Sequence, residues 1–238
     1  MELFLIDAHA LCYRSFYAIK DLANSKGQKT NAVYGFVSTL KKLLRERQPQ
    51  YMAVCFDSPA RTYRQEKYAD YKIQRPSMPD DLVSQMPLIK DIVAGYRVPV
   101  LAYEGYEADD IIATIAGIFS SSEMNVMIVS DDKDMFQLVN DHVRVLSIRK
   151  DAVIDADAVR EILGLAPEFV TDFIALAGDK VDNIPGVRGI GEASARHLIG
   201  RYGHVEEIYR NLEKVEPKSL RDRLGAQREQ AMLSKELA

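Results

Sequence analysis

The sequence predicts an α/β fold, a mainly parallel sheet flanked by helices on both faces. Short apolar runs at residues 2–6, 51–56 and 125–129 have the length of buried strands. Helically spaced segments separate them, the alternation that produces parallel sheets. Each run also ends at acid: Asp7, Asp57, and Asp132 with Asp134 just after Ser130 and Asp131. In such folds ligands bind outside the carboxyl ends of the strands. One strand-end aspartate is commonly a turn or cap residue. Three strands delivering acid to one edge point to a site.

Between the first two strands, residues 31–47 read as a helix, with Val33, Phe36, Val37, Leu40, Leu43 and Leu44 at helical spacing and Pro49 beyond the end. Residues 82–94 read as a second helix and residues 108–119 as a third. The third opens on Glu107, Asp109 and Asp110. Carboxylates are favoured there by unpaired N–H groups and the macrodipole, and Glu107 and Asp110 share a face. An ordinary acidic helix start explains that triplet alone; the other strand-end acids argue for more.

The 238 residues, 47% of them hydrophobic, can bury one large domain or a domain with an appendage. The net charge of −4 announces no nucleic-acid partner, although an acidic centre can mask a local basic surface. Cys12 and Cys55 lack CxxC spacing and read as buried free thiols of a reducing compartment. No run approaches the ~18 apolar residues of a membrane span, and no leader-like segment opens the chain, so a cytoplasmic protein is expected.

Residues 58–81 change character. Arg61, Arg64, Lys67, Lys72 and Arg75 alternate with Tyr63, Tyr68 and Tyr71, and Pro76 and Pro79 follow. A solvated charged helix and loop is one reading. Basic residues also suit phosphates and aromatic faces suit unstacked bases, so directly after the Asp57 strand the segment reads as a substrate clamp. From Pro167 onward the chain is helical. Residues 169–177 and 192–199 flank Gly178-Asp179-Lys180-Val181-Asp182-Asn183 and the turn Gly186-Val187-Arg188-Gly189-Ile190-Gly191. Its G-x-x-G-x-G spacing is not the dinucleotide fingerprint. With Lys180, Arg188 and Arg196 nearby, it reads as a sequence-independent grip on a phosphodiester backbone. Residues 220–238 form a charged helical tail.

The candidate acids are Asp7, Asp57, Glu107, Asp109, Asp110, Asp132, Asp134, Asp179 and Asp182. Two carboxylates about 4 Å apart repel by roughly 4 kcal/mol at an effective dielectric near 20. Hard divalent cations resolve that conflict, and oxygen-only donors favour Mg²⁺ or Mn²⁺ over zinc. Two ions about 3.5–4 Å apart suit phosphodiester hydrolysis. A haloacid-dehalogenase-type phosphatase needs an acid where His9 stands, and His9 reads as a local hydrogen-bonding residue. No G-x-S-x-G elbow or P-loop is present.

Several strings resemble the bacterial 5′-nuclease family: Tyr13-Arg14, Phe56-Asp57, Tyr71-Lys72, Arg-Pro-Ser-Met-Pro-Asp-Asp-Leu at 75–82, Glu-Ala-Asp-Asp at 107–110, Asp-Lys-Asp-Met at 132–135 and Gly-Asp-Lys-Val-Asp-Asn-Ile-Pro-Gly-Val at 178–187. Within that family the likeness is to the N-terminal 5′→3′ exonuclease domain of DNA polymerase I, a relative of flap endonucleases. The resemblance implies a PIN-like nuclease core over residues 1–165, with a helical arch at 58–81 that orders as a single strand passes. A helix-three-turn-helix DNA-binding subdomain over residues 166–238 completes it. All nine acids then match metal-site acids. Asp7, Glu107, Asp109, Asp110 and Asp132 lie nearest one ion, and Asp134, Asp179 and Asp182 serve the second. Arg14, Tyr71, Lys72 and Arg75 match residues that engage the substrate near the cut phosphate, with Lys72, Arg75 and Asp110 counted as catalytic. The hairpin around Val187 to Ile190 matches one that holds a potassium ion against DNA.

Two positions depart from the family pattern: Ala8 and Asp131 stand where glycine is common, and Asp131 adds an acid beside the site. The implied activity is a structure-specific DNA 5′-nuclease acting on 5′ flaps, nicks and 5′ ends, including RNA-primed strands, in replication and repair. A polymerase domain in the same full-length chain is the implied neighbour. The alternatives are a PIN-type ribonuclease, against which the Gly-rich hairpin argues, and a non-catalytic branched-DNA binder, against which the retained acids argue.

Overall fold

The computed structural model describes all 238 residues and divides into two compact units, Met1–Thr62 with Pro76–Asp155, and Tyr63–Arg75 with Ala156–Ala238. In chain order the elements begin β1 (Glu2–Asp7), α1 (Ala8–Ala18), α2 (Asn31–Glu46), β2 (Tyr51–Cys55), α3 (Tyr63–Lys67), α4 (Asp80–Val83), α5 (Met86–Gly95) and β3 (Val100–Leu101). They continue α6 (Ala108–Phe119), β4 (Asn125–Val129), β5 (Val143–Ser147), β6 (Ala152–Ile154), α7 (Ala156–Leu163) and α8 (Val170–Ala177). The last four are α9 (Glu192–Tyr202), α10 (Val205–Arg210), α11 (Lys218–Ala226) and α12 (Arg228–Leu237). No helix is long and apolar enough to cross a membrane.

In the first unit the strands form one sheet in the order β3-β2-β1-β4-β5-β6, parallel except for β6. Phe4, Leu5 and Ile6 of the central strand are all buried, because helices cover both faces. Phe36 of α2 and Ile89 and Val93 of α5 share a core with Phe4 and Ile6, while α6 packs on β1, β2 and β4. Strands buried on both faces read as unbroken apolar runs, so β1, β2 and β4 fall where the sequence places them. The two-residue β3, and β5 with its exposed Arg144, carry no such signal.

One helix differs from the sequence reading. Residues 82–94 divide into α4 and α5, with Pro87 in the first turn of α5. A continuous helix would press the Pro87 ring against the Val83 carbonyl and remove its hydrogen bond. The break turns Gln85 fully inward. Its Oε1 accepts the backbone N–H groups of Ala32 (2.9 Å) and Val33 (3.2 Å), and its Nε2 donates to Asn31 Oδ1 at 3.0 Å. These are first-turn groups of α2, whose N-cap Thr30 makes no side-chain bond.

The compact units also divide the chain differently from the sequence reading. Residues 63–75 fall in the second unit, and the helix among them has only five residues. Arg64 and Tyr71 are buried, and Arg64 Nε donates to the Leu237 carbonyl at 2.8 Å. Lys67 pairs with Glu236, and Asn183 Nδ2 donates to the Asp70 carbonyl at 2.7 Å. The segment is therefore anchored at several points. Fully buried Asp172 of α8 ties the unit together, accepting from Val205 N (2.9 Å) and Lys235 Nζ (2.7 Å) and meeting His204 Nδ1 at 2.8 Å.

Replacing Gln85 by Leu keeps the volume but strands buried N–H groups at the start of α2. Leaving such groups unsatisfied costs about 1–3 kcal/mol each, so Gln85→Leu is expected to lower unfolding free energy by about 2–4 kcal/mol in urea titration.

Candidate active site

Seven of the candidate acids sit at the carboxyl edge of four neighbouring strands. Asp7 ends β1, Asp57 follows β2, Glu107, Asp109 and Asp110 open the helix after β3, and Asp132 and Asp134 follow β4. Chain direction across the sheet reverses between β1 and β4, the switch point where open α/β sheets bind ligands. Asp7 lies at that point and is 5% exposed. As N-cap of α1 it accepts Ala10 N–H at 3.0 Å, and its Oδ2 accepts the Ser130 hydroxyl at 2.9 Å. Ser130 Oγ in turn accepts Asp132 N–H at 3.1 Å, linking the ends of β1 and β4.

Burial pushes the Asp7 carboxyl up to about 6; the Ala10 and Ser130 hydrogen bonds oppose this, and the charges of Asp57 and Asp132 add to it. Burial likewise pushes the Cys55 thiol up to about 12, with Asp7 and Asp109 contributing, and raises Cys12. Both cysteines are free, buried and far from the thiolate form.

The other acids are held by local bonds. Asp57 Oδ1 accepts Ala108 N–H at 2.8 Å, and its own N–H donates to His9 Nδ1 at 3.1 Å, giving His9 the local role its sequence position suggested. Glu107 and Asp110 form a capping box, with Glu107 N–H bound to Asp110 Oδ2 at 2.9 Å. Asp132 Oδ1 accepts Asp134 N–H at 3.0 Å. Asp131 does not join the carboxylate group as an extra acid. It turns to the end of β5, accepting from Ser147 Oγ (2.5 Å) and Arg149 N (3.2 Å), and pairs with Arg14 Nη1 at 3.2 Å.

No three carboxylate, imidazole or thiol groups are set closely enough to enclose an ion. That spacing does not fit the closed tetrahedral cage of structural zinc.

In the second unit Asp179 serves its own turn, its Oδ1 accepting Asp182 N–H at 3.2 Å. Asp182, 6% exposed, accepts from Tyr71 Oη (3.2 Å), pairs with Arg75 Nη2 (2.5 Å) and lies 3.5 Å from Lys72 Nζ. A predicted metal ligand is thus neutralised here by two predicted substrate contacts. The Gly-rich hairpin differs in emphasis from the sequence reading. Gly178 and Gly186 have positive φ, and a Cβ on Gly186 would lie 2.3 Å from the Gly178 nitrogen. These glycines permit backbone to pack on backbone. Gly186 N and Arg188 N donate to Ser234 Oγ (3.0 Å) and Gln227 Oε1 (2.8 Å), while Val187 and Ile190 are buried in the core. Gly189 N and Gly191 N lie in the stretch that leads into α9.

Comparison with known proteins now decides the family. A model of the 5′-3′ exonuclease N-terminal resolvase-like domain matches residues 2–164, and one of the 5′-3′ exonuclease C-terminal SAM fold matches residues 165–238. The chain belongs to the 5′-3′ exonuclease family. As a member it is a nuclease, a hydrolase of phosphodiesters. A 5′-3′ exonuclease of Aquifex aeolicus is 45% identical over 90% of this chain and 74% of its own length. DNA polymerase I of Caldicellulosiruptor bescii is 39% identical over 100% of this chain but only 29% of its own length. The chain thus spans just over a quarter of that polymerase. Solved structures of the bacteriophage T5 enzyme share the fold at 23% identity. One is a 5′-exonuclease with zinc ions and one a flap endonuclease pseudo-enzyme–product complex with DNA and metal ions, with TM-scores of 0.81 and 0.79, each covering 99% of this chain and 88% of theirs. The family models meet at residues 164 and 165, whereas the compact units place α7 with the second part.

Asp7 is a weaker acid folded than unfolded, so the folded chain retains its proton from about pH 4 to about 6, and ionisation above that window costs stability. Asp7→Asn keeps an acceptor for Ala10 N–H. Without metal it is expected to stabilise the protein at neutral pH by up to about 3 kcal/mol, the gain vanishing near pH 4. Urea titrations in EDTA across that range test this, and a pH-independent difference would refute it.

Proposed function

We propose that this chain is a structure-specific DNA 5′-nuclease, cutting phosphodiesters at 5′ ends, nicks and flap junctions. The observation that carries the reading is the set of seven carboxylates delivered by four adjacent strands to one edge, with Asp7 buried among them. Asp7, Glu107, Asp109, Asp110 and Asp132 would lie nearest one divalent ion, Mg²⁺ or Mn²⁺, with Asp57 among the metal-site acids. Asp134, Asp179 and Asp182 are assigned to a second by resemblance. Bound divalent metal supplies an activated water and stabilises the leaving oxygen.

The chain's own groups do the rest. Arg14 and Tyr71 engage the strand near the cut, and Lys72 and Arg75 offset charge on the scissile phosphate. The hairpin of residues 186–191 steadies duplex backbone without reading bases. A potassium ion is proposed at the hairpin around Val187 to Ile190, where the carbonyls of Arg188 and Gly189 accept from Gln227 and Arg223. RNA-primed strands are included as substrates, a polymerase domain in the full-length protein is the proposed partner, and the proposed location is cytoplasmic.

The test uses 3′-labelled 5′-flap duplex, nicked duplex and single-stranded RNA, each with Mg²⁺ or EDTA. Mg²⁺-dependent cutting near the flap junction is expected. Asp110→Asn keeps an oxygen for Glu107 N–H, so the helix cap survives. Its kcat is expected to fall by more than about a hundredfold, beyond the 10–100-fold typical of outer-shell partners, with flap binding in Ca²⁺ little changed. Tight flap binding without cutting would indicate a branched-DNA binder, and cutting of RNA alone a ribonuclease.

A further inference from the structure

We propose that Asp131 is a positioning residue, holding the Arg14 guanidinium ready for a backbone phosphate of the bound DNA strand. The inference rests on the nuclease reading, in which Arg14 contacts the substrate. Asp131 is itself fixed from several directions. Its Oδ1 accepts from Ser147 Oγ at 2.5 Å and from Arg149 N at 3.2 Å, and its Oδ2 lies 3.3 Å from the same nitrogen. Ser147 Oγ also accepts Lys150 N–H at 3.2 Å, which locks the hydroxyl. The acceptor is therefore pinned to the end of β5 and the turn beyond it before Arg14 arrives from α1.

The contact is suited to aiming the arginine rather than masking it. A single donor, Nη1, meets Oδ2 at 3.2 Å, longer than the 2.7–2.9 Å of a tight charge-assisted bond. A carboxylate that sequestered the guanidinium would take two parallel N–H groups. The guanidinium has five donors in a rigid fork, and the Arg14 side chain is 35% exposed, so edges are left to meet phosphate. A long side chain ordered in advance loses less freedom when the strand binds. The side-chain bonds of Asp131 run to Ser147, Arg149 and Arg14, so it acts through Arg14.

The experiment compares wild type, Asp131→Ala, Asp131→Asn, Arg14→Ala and the Asp131→Ala/Arg14→Ala double variant on 5′-flap DNA with Mg²⁺, reading KM, kcat and Tm. Asp131→Ala is expected to raise KM about tenfold with kcat within about twofold, the mark of lost binding common to ground and transition states. Asp131→Asn can keep its one oxygen for Arg14 while its amide N–H donates to the Ser147 hydroxyl oxygen, and its KM should stay within about threefold of wild type. In the Arg14→Ala background, Asp131→Ala should add nothing. A KM penalty that persists there would make Asp131 merely structural and overturn the proposal. A lower KM in Asp131→Ala would show a mask and overturn it too. If wild type cuts and Arg14→Ala is neutral, the proposal falls while the nuclease stands; if wild type does not cut any flap, the nuclease reading itself has failed.

Discussion

Burying a carboxylate at the end of a central parallel strand is unfavourable unless something stabilises its charge, and Asp7 shows how far a fold can go without a cation. The α1 N-terminus and the Ser130 hydroxyl each lend it a hydrogen bond, yet burial and the neighbouring acids still leave it a much weaker acid than usual. The same three features are topological. A parallel sheet requires crossovers, the crossover after β1 starts α1 one residue beyond the strand, and β4 brings Ser130 alongside. The site is therefore a consequence of strand order. It is also strained electrostatically, so the fold tolerates at this edge what it would reject in its core.

The second unit handles its acids in the opposite way. Asp182 meets Arg75 and Lys72, and Asp172 meets Lys235 and His204, so each buried carboxylate has a cation of the chain's own. Asp172 holds α8, α10 and α12 together through such contacts and needs no ligand. Lys235 is raised and Glu206 lowered in this network: burial opposes charge in each, and the hydrogen bonds among Lys235, Asp172 and Glu206 outweigh it. Against that pattern, Asp7 is held by a backbone N–H and a hydroxyl.

What the sequence could reveal follows from range. β1, β2, β4 and α6 were legible because burial on both faces, or a capping box with an apolar stripe, writes its signal into consecutive residues. Gln85 was not legible: its partners in α2 are more than fifty positions away, and only the break at Pro87 could have drawn attention to it. The partners of Asp131 lie 16, 18 and 117 positions away, so its identity as an acid was visible and its direction was not. The Arg75–Asp182 pair spans 107 positions and brings residues 63–75 into a unit to which sequence order did not assign them.

The glycines carry a related lesson about inference from motifs. A Gly-rich turn before a helix invites the reading that backbone N–H groups face phosphate. Here Gly178 and Gly186 are explained by their approach to each other, and two of the hairpin's N–H groups are occupied by Ser234 and Gln227 of the tail. Steric necessity and ligand binding therefore act on different residues of one motif. Within the stretch that leads into α9, Ile190 N–H is bound to the Val187 carbonyl and its side chain is buried, so the glycines on either side of it are the ones that carry neither duty. The charged C-terminal helices, read from sequence only as a charged helical tail, hold the hairpin through Arg223, Gln227, Gln230 and Ser234.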